Sequence, residues 1–128
     1  MERALAICEE LGTNSDVGVN LYSLGYLAHS RKNYTDAQKY FERALVIFEE
    51  LGRKYDVAAN LQGLGDVAFA VKQFAKAQKL YQRSLSVFEQ IDSSRARNLG
   101  DDLVKVKRQL AKLQKRRKNG QKTKSKSK

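Results

Sequence analysis

The sequence contains no proline, no tryptophan and a single cysteine among its 128 residues. One cysteine cannot form an intramolecular disulfide, so nothing in the sequence indicates an oxidising compartment. No apolar run approaches the roughly 18 residues that cross a bilayer, and Glu2, Glu9 and Glu10 exclude a basic signal-peptide start. We therefore expect a cytoplasmic protein without a membrane partner.

Acidic residues are missing from the end of the chain. From Leu103 onward there are 12 lysines and arginines and no Asp or Glu, whereas 13 basic and 14 acidic residues nearly balance up to Asp102. The net charge of +11 therefore belongs to a C-terminal segment attached to a nearly neutral body. Any inference about nucleic acid concerns that segment alone.

An internal repeat dominates the rest of the sequence. When Met1–Tyr40 is aligned without gaps on Phe41–Leu80, half of the positions are identical, and a third copy begins at Gln82 before it fades. A period of this length predicts a stacked array, in which each unit buries its apolar face against its neighbours. This architecture lowers the expectation of an enzyme.

Apolar residues recur at helical spacing through both copies, which predicts an all-α fold. Gly12 and Gly52 are expected to end helices, and Asp16 and Asp56 to cap the start of the next ones. A break is expected near Lys32. The predicted organisation is the second helix of an incomplete repeat at 1–12, repeat one at 13–52, repeat two at 53–92, a capping helix at 93–114 and a disordered basic tail at 115–128.

The two ends of the array are predicted to differ. The last helix carries one narrow apolar stripe and is otherwise polar, as a terminal cap requires. The stripe consists of Ala96, Leu99, Leu103, Val106, Leu110 and Leu113. At the other end, Leu5, Cys8 and Leu11 belong to half a repeat, so we expect self-association or upstream repeats to cover them.

Several positions in each copy resemble the tetratricopeptide repeat. Leu24-Gly25 and Leu64-Gly65 match the family's Leu-Gly pair, and Tyr34 and Phe74 match its aromatic before the second helix. The matching small-aromatic-small sets are Ala37, Phe41, Ala44 and Ala77, Tyr81, Ser84. The period of 40 is longer than the family's usual 34, and the repeat-closing Pro is absent. This longer form resembles the arrays of G-protein-signalling modulators and of large bacterial transcriptional regulators.

The resemblance implies a helical-hairpin solenoid that binds a protein partner without catalysis. The first helix of each repeat would line a concave groove suited to an amphipathic helix or an extended peptide. The corresponding residues are Val19, Tyr22, Ser23, Tyr26, His29 and Ser30 in repeat one, and Ala59, Gln62, Gly63, Asp66, Phe69 and Ala70 in repeat two. Alternatively, some of these rings pack against neighbouring helices.

Specific chemistry at these positions is limited. Co-chaperone members grip a peptide carboxylate with Lys and Asn where this chain has Tyr22, Tyr26, Gln62 and Asp66, so binding of a chaperone tail is disfavoured. Cys8 aligns with Phe48 and is interpreted as a core residue, and a lone histidine lacks a second metal ligand. No catalytic residue, metal site or cofactor is predicted.

The basic tail has three interpretations: a solvated end without a partner, a non-specific contact to RNA, DNA or another polyanion, or a nuclear-import signal. Its basic residues are Lys115, Arg116, Arg117, Lys118, Lys122, Lys124, Lys126 and Lys128. The preferred function is a protein-interaction scaffold. The alternative is an RNA- or DNA-associated accessory protein that makes its main contact through this tail.

Overall fold

The described residues of the computed structural model, 14–91 and 93–126, are almost entirely helical, and side-chain surroundings are described as far as Arg116. The helices are α1 (Asn14–Ser30), α2 (Tyr34–Leu51), α3 (Lys54–Ala70), α4 (Phe74–Ile91) and α5 (Ser93–Lys126). No strand occurs in these ranges, which confirms the predicted all-α class. The predicted half repeat at 1–12 lies outside the described residues.

Successive helices pack as antiparallel hairpins, α1 with α2 and α3 with α4, and α5 packs against α4. The turns between hairpin helices place Lys32 and Lys72 at φ values of 63° and 65°. Gly52 ends α2 at φ 68°, where glycine is free of a Cβ clash, and its N–H donates to carbonyls of the last turn. The predicted breaks at Lys32 and Gly52 are confirmed.

The predicted helix starts are wrong, and the N-cap of α3 lies about three residues, nearly one turn, before the predicted cap. Asp16 lies within α1, which already includes Asn14, and Asp56 lies in the first turn of α3. The N-cap of α3 is Arg53, whose side chain makes no capping hydrogen bond. Instead Arg53 pairs with Asp56, with Nε and Oδ2 at 2.8 Å. The carboxylates therefore act inside the first turn, where they also complement the helix dipole.

The core is a chain of clusters along the array. Leu21 and Phe48 are at the centre of the cluster inside the first hairpin, and Phe41 and Leu64 lie between the hairpins. A third cluster joins the second hairpin to α5 around Phe88. The buried small residues, Ala37, Ala44, Ala77 and Ser84, let the paired helices approach closely. Each cluster is built from neighbouring helices, as expected for a repeat array.

The long helix α5 differs from the prediction at its C-terminal end. Ala96, Leu99, Leu103 and Val106 of the predicted stripe are buried against the second hairpin. However, the helix does not end near Gln114 but continues to Lys126 through the segment expected to be disordered. That expectation rested on the lack of large apolar residues and on like-charge repulsion, whereas Lys, Arg and Gln favour helix and no proline interrupts the segment.

Candidate protein-binding groove

The residues predicted to line the groove fall on one side of the first helices of the two hairpins. Because side chains three and four residues apart share a helix face, Tyr22 and Tyr26 lie together on α1, as Asp66 and Phe69 do on α3. Asp102 of α5 is close enough to influence the charge of Asp66. We call the surface formed by these five residues the inner face.

Tyr22 and Tyr26 form an aromatic cluster with the buried ring of Phe41. The centroids of the two tyrosine rings are 5.0 Å apart, and their distances to the Phe41 centroid are 6.0 and 5.0 Å, all in edge-to-face geometry. Both tyrosines are half-buried. Their rings therefore stabilise the contact between α1 and α2.

Asp66 receives hydrogen bonds from two tyrosines on different helices. The hydroxyl of Tyr81 donates to Oδ1 at 2.5 Å, and that of Tyr26 lies 3.4 Å from Oδ2. Tyr26 belongs to α1 and Tyr81 to α4, so this single carboxylate connects the two hairpins. A charged acceptor strengthens such hydrogen bonds in a partly desolvated place.

Burial dominates the titration of this group. Burial raises the pKa of Asp66, the hydrogen bond from Tyr81 opposes that shift, and the nearby charge of Asp102 adds to it. The pKa values of Tyr26 and Tyr81 are also raised, first by burial and then by the charge of Asp66. Both phenols therefore remain protonated hydrogen-bond donors at neutral pH.

A small cavity of about 140 Å³ opens beside Asp66 between α3, α4 and α5. Phe69, Tyr81, Asp102 and Lys105 form the rest of its wall. Burial raises the pKa of Asp102, Lys105 opposes this shift, and Asp101 adds to it. The cavity thus combines an aromatic ring, two carboxylates and one ammonium group.

The other predicted groove residues differ in their surroundings. Val19 is 46% exposed, and Ser23, Gln62 and Ala70 are half-buried. Ser30 is exposed, and its hydroxyl donates to the Leu27 carbonyl at 2.8 Å.

His29 and Phe69 are occupied mainly by contacts inside the protein. The His29 ring packs against Tyr34 with centroids 5.5 Å apart, and its Nε2 is buried without a hydrogen-bond partner in the described part of the chain. Phe69 packs against Phe74 at 5.3 Å. These two rings therefore pack against neighbouring helices, which was the alternative to a role in the groove.

Two of the expected groove residues are placed differently by the structure. Ala59 is buried in the cluster around Phe88, and Gly63 lies against the ring of Phe41, where a Cβ would come within 2.7 Å of a ring carbon. Gly63 thus allows the second hairpin to approach the first. Neither residue is available to a partner, because both are buried between helices.

Sequence reasoning missed Tyr81, Asp102 and Lys105 as part of this site. Tyr81 aligns with Phe41, so the extra hydroxyl in the second copy was the available signal. Asp102 and Lys105 adjoin the apolar positions Leu103 and Val106, and this placement could have indicated a side of α5 that faces α3.

The described part of the chain contains no group of three or more His, Cys, Asp or Glu side chains positioned to hold a metal ion. None of the helices in that part is both long and apolar enough to cross a membrane. Among the predicted tail residues, Lys115 and Arg116 are exposed on α5, and the side chains from Arg117 onward lie outside the described surroundings.

A family model for the tetratricopeptide repeat matches residues 16–90, more than half of the chain and nearly all of α1–α4. The chain belongs to the tetratricopeptide repeat family. Tetratricopeptide repeats are protein-interaction modules, which agrees with the predicted class of function. A search of curated proteins found no match to the chain.

Proposed function

We propose that this tetratricopeptide repeat protein is a non-enzymatic scaffold that binds a peptide or helix of a partner protein on its inner face. The observation that carries the proposal is the cluster of Tyr22, Tyr26 and Asp66 at the junction of the two hairpins. Half-buried tyrosines offer rigid contact area together with a polar tip, and this combination is favoured at protein interfaces.

The arrangement favours a partner with both apolar and donor groups. The rings of Tyr22 and Tyr26 are already held against Phe41, so little side-chain entropy is lost when a partner covers them. The carboxylate of Asp66 is held by two phenols, which leaves acceptor capacity for a donor from the partner.

The first step of the test is to identify a partner by affinity capture on the full chain at about 0.5 M salt, where long-range attraction to the basic tail is screened. The second step measures its affinity for a Val19→Glu/Ser23→Glu variant. Val19 and Ser23 precede Tyr22 and Tyr26 by three residues on α1, so they lie on the same helix face, beside the inner face. Neither side chain is in the core, so the change places two carboxylates next to the inner face while leaving the helices intact.

We expect the double variant to weaken binding by about 2 kcal/mol, the threshold usual for hot-spot residues. The control is Val46→Glu, which adds one carboxylate at a 55% exposed valine on α2, the second helix of the same hairpin, and which is compared with the single variant Val19→Glu as well as with the double variant. A captured partner that binds the double variant and the wild type equally well would contradict the inner face as its site. Circular dichroism verifies that all variants remain helical.

The second candidate is binding of a polyanion through the basic end of α5. It is favoured by the exposed Lys112, Lys115 and Arg116 on a continuous helix in a stretch without acidic residues. If about six charges meet phosphates, log affinity should fall against log salt with a slope near −5. Binding should be indifferent to base sequence because phosphate contacts carry no base information.

The matched test compares Lys115→Gln/Arg116→Gln with Lys39→Gln/Lys79→Gln, since all four residues are exposed. The first pair should flatten the salt slope for duplex DNA by about two contacts' worth, and the second pair should not. Equal slopes for the two variants would contradict a contact between the polyanion and Lys115 and Arg116.

A further inference from the structure

Two crevices occupy equivalent places in the array, each where the second helix of a hairpin begins beside the helix that follows it. The first lies between Tyr34 of α2 and Leu64 and Val67 of α3, and has a volume of about 240 Å³. The second lies between Phe74 of α4 and Leu110 of α5, and has a volume of about 630 Å³. Tyr34 and Phe74 are the same position of the 40-residue repeat.

The difference in volume follows from what comes next in the chain. Helix α3 ends at Ala70, and the chain then turns, so that Val71, Gln73 and Lys76 close the first crevice. Helix α5 has no such end beside the second crevice, because it continues beyond Leu113 to Lys126. In the described part of the chain, no following turn therefore covers Leu110 and Leu113.

The floor of the second crevice is apolar. Phe74 and Leu110 are half-buried beside the second-hairpin core, and Leu113, the last residue of the predicted apolar stripe of α5, is 37% exposed. An apolar strip between two packed helices matches the way an amphipathic helix lies in a groove, with anchors at i, i+3 or i+4 and i+7. Covering these side chains would add burial that the chain itself does not provide.

The rim has one sign of charge. Lys72 and Lys76 stand on the α4 side, both exposed, and the crevice has no acidic residue in its wall. On the α5 side Lys112 and Arg116 are exposed, in a stretch without any acidic residue. The inner face carries the carboxylates Asp66 and Asp102 instead, so the two surfaces differ in the sign of the charge they present.

We propose that the α4–α5 crevice, defined by Lys72, Phe74, Lys76, Leu110 and Leu113, is a docking site for an acidic amphipathic helix from a partner protein. Its apolar side chains enter over Phe74, Leu110 and Leu113, where the equivalent crevice is closed by the chain's own turn. Its carboxylates meet the lysine rim. This crevice adjoins the inner face through the contact between Phe74 and Phe69, but the proposal does not depend on the function proposed for the inner face.

The test uses a fluorescein-labelled helical peptide of about 18 residues, with leucine at i, i+3, i+4 and i+7 positions and glutamate at most others. Its anisotropy is titrated with the full chain at about 0.15 M salt. A scrambled peptide of the same composition, which lacks the leucine stripe, measures attraction that depends on charge alone.

Two variants locate the binding. Lys72→Glu/Lys76→Glu reverses the rim, and its matched control Lys32→Glu/Lys39→Glu reverses two exposed lysines of the first hairpin, with the same net charge. Leu113→Gln removes an apolar anchor, with Val46→Gln as its exposed control on α2. These positions are at the surface, so the fold is retained, and circular dichroism checks this.

We expect the striped peptide to bind saturably, and each crevice variant to weaken it about tenfold, which is about 1.4 kcal/mol. The control variants should change the dissociation constant by less than about twofold. Equal binding of the striped and scrambled peptides would overturn the proposal in favour of non-specific attraction to the basic helix, as would equal effects of crevice and control variants.

A self-interaction is the remaining competitor for the crevice. Sedimentation of the wild type and of Leu113→Gln distinguishes it. If a second copy of the chain occupies the crevice, the wild type forms a dimer and Leu113→Gln is a monomer. Such a dimer, together with failure of the peptide to compete with it, would overturn the proposed helix from a partner protein.

Discussion

The two hairpins share one packing frame but differ in how polar their contacts are. Gly25 lies against Phe41, and Gly65 lies against Tyr81, its equivalent 40 residues later. In both places a Cβ on the glycine would come within 2.7 Å of the ring, so the frame depends on the same close approach. The ring is purely apolar in the first copy, whereas the second carries a hydroxyl that donates to Asp66.

A second pair of equivalent positions shows the same difference. Ala44 is fully buried in the first hairpin, and its counterpart Ser84 is fully buried in the second, with its Oγ donating to the Ala58 carbonyl at 2.7 Å. Both polar additions in the second copy thus have a partner, as buried groups require. The comparison teaches that the glycine–ring contacts common to both hairpins determine the fold, while the second hairpin has additional hydrogen bonds to neighbouring helices.

The largest expected change in stability comes from removing the apolar ring of the first hairpin. Phe41 is fully buried between the two hairpins, so Phe41→Ala should destabilise the protein by about 3–5 kcal/mol. Urea unfolding followed by circular dichroism measures the change. The control is Val46→Ala on the exposed side of α2, expected within about 0.5 kcal/mol. A loss for Phe41→Ala no larger than that of the control would contradict its central position.

The next effect concerns the close approach between hairpins. In Gly63→Ala the new Cβ would lie within 2.7 Å of the Phe41 ring, which also lies against Gly25. We expect a loss of about 1–3 kcal/mol from overpacking. Gly100→Ala is the matched control, because nothing lies within 4 Å of its Cβ position, and it should stabilise α5 by about 0.5–1 kcal/mol. Changes of the same sign in both variants would remove the steric explanation.

The polar half of the comparison predicts a smaller effect. Ser84→Ala converts the second copy to the residue of the first and removes one buried hydrogen bond, so it should cost about 0.5–1.5 kcal/mol. The reciprocal Ala44→Ser places a hydroxyl in the equivalent fully buried position. If both variants lie within error of the wild type in urea unfolding, the hydrogen bond contributes nothing and the two copies are energetically equivalent.

The sequence predicted the frame because the frame is local. Leu24-Gly25 in the first repeat and Leu64-Gly65 in the second mark the same close contact between helices, and Gly52 marks a helix end. These features follow from side-chain volume and backbone freedom, which can be read from the residues of each repeat. The connection through Asp66 could not be predicted in the same way, because it depends on how α1 and α4 are placed around one carboxylate.

The starts of α1 and α3 and the end of α5 were the weakest part of the prediction. The extension of α5 to Lys126 was missed because charge repulsion and helix propensity oppose each other there, and composition alone does not decide between them. The position of Gly63 could not be predicted either. A glycine suits a groove, and only the contact with the Phe41 ring shows that Gly63 lies between the hairpins.

The smallest effect is a change in pH dependence at Asp66, the point where the two copies differ most. Burial raises its pKa in the folded protein above the usual 3.8, with Tyr81, Tyr26 and His29 opposing the shift and Asp102 adding to it. The folded state therefore holds this proton to higher pH than the unfolded state does. The resulting stability is fully present below the unfolded pKa and is lost as pH rises through the folded pKa.

The variant Asp66→Asn removes this titration while keeping a carbonyl oxygen that can accept from the tyrosines. Between about pH 3 and about pH 7, its free energy of unfolding should therefore fall less, or rise more, than that of the wild type. Urea midpoints measured across this range test the expectation, with Glu49→Gln at an exposed carboxylate of α2 as the matched loss of charge. If the two variants show the same slope, or if Asp66→Asn steepens the decline, the carboxylate is better solvated than its contacts indicate. The polar connection would then distinguish the second copy in geometry but not in stability.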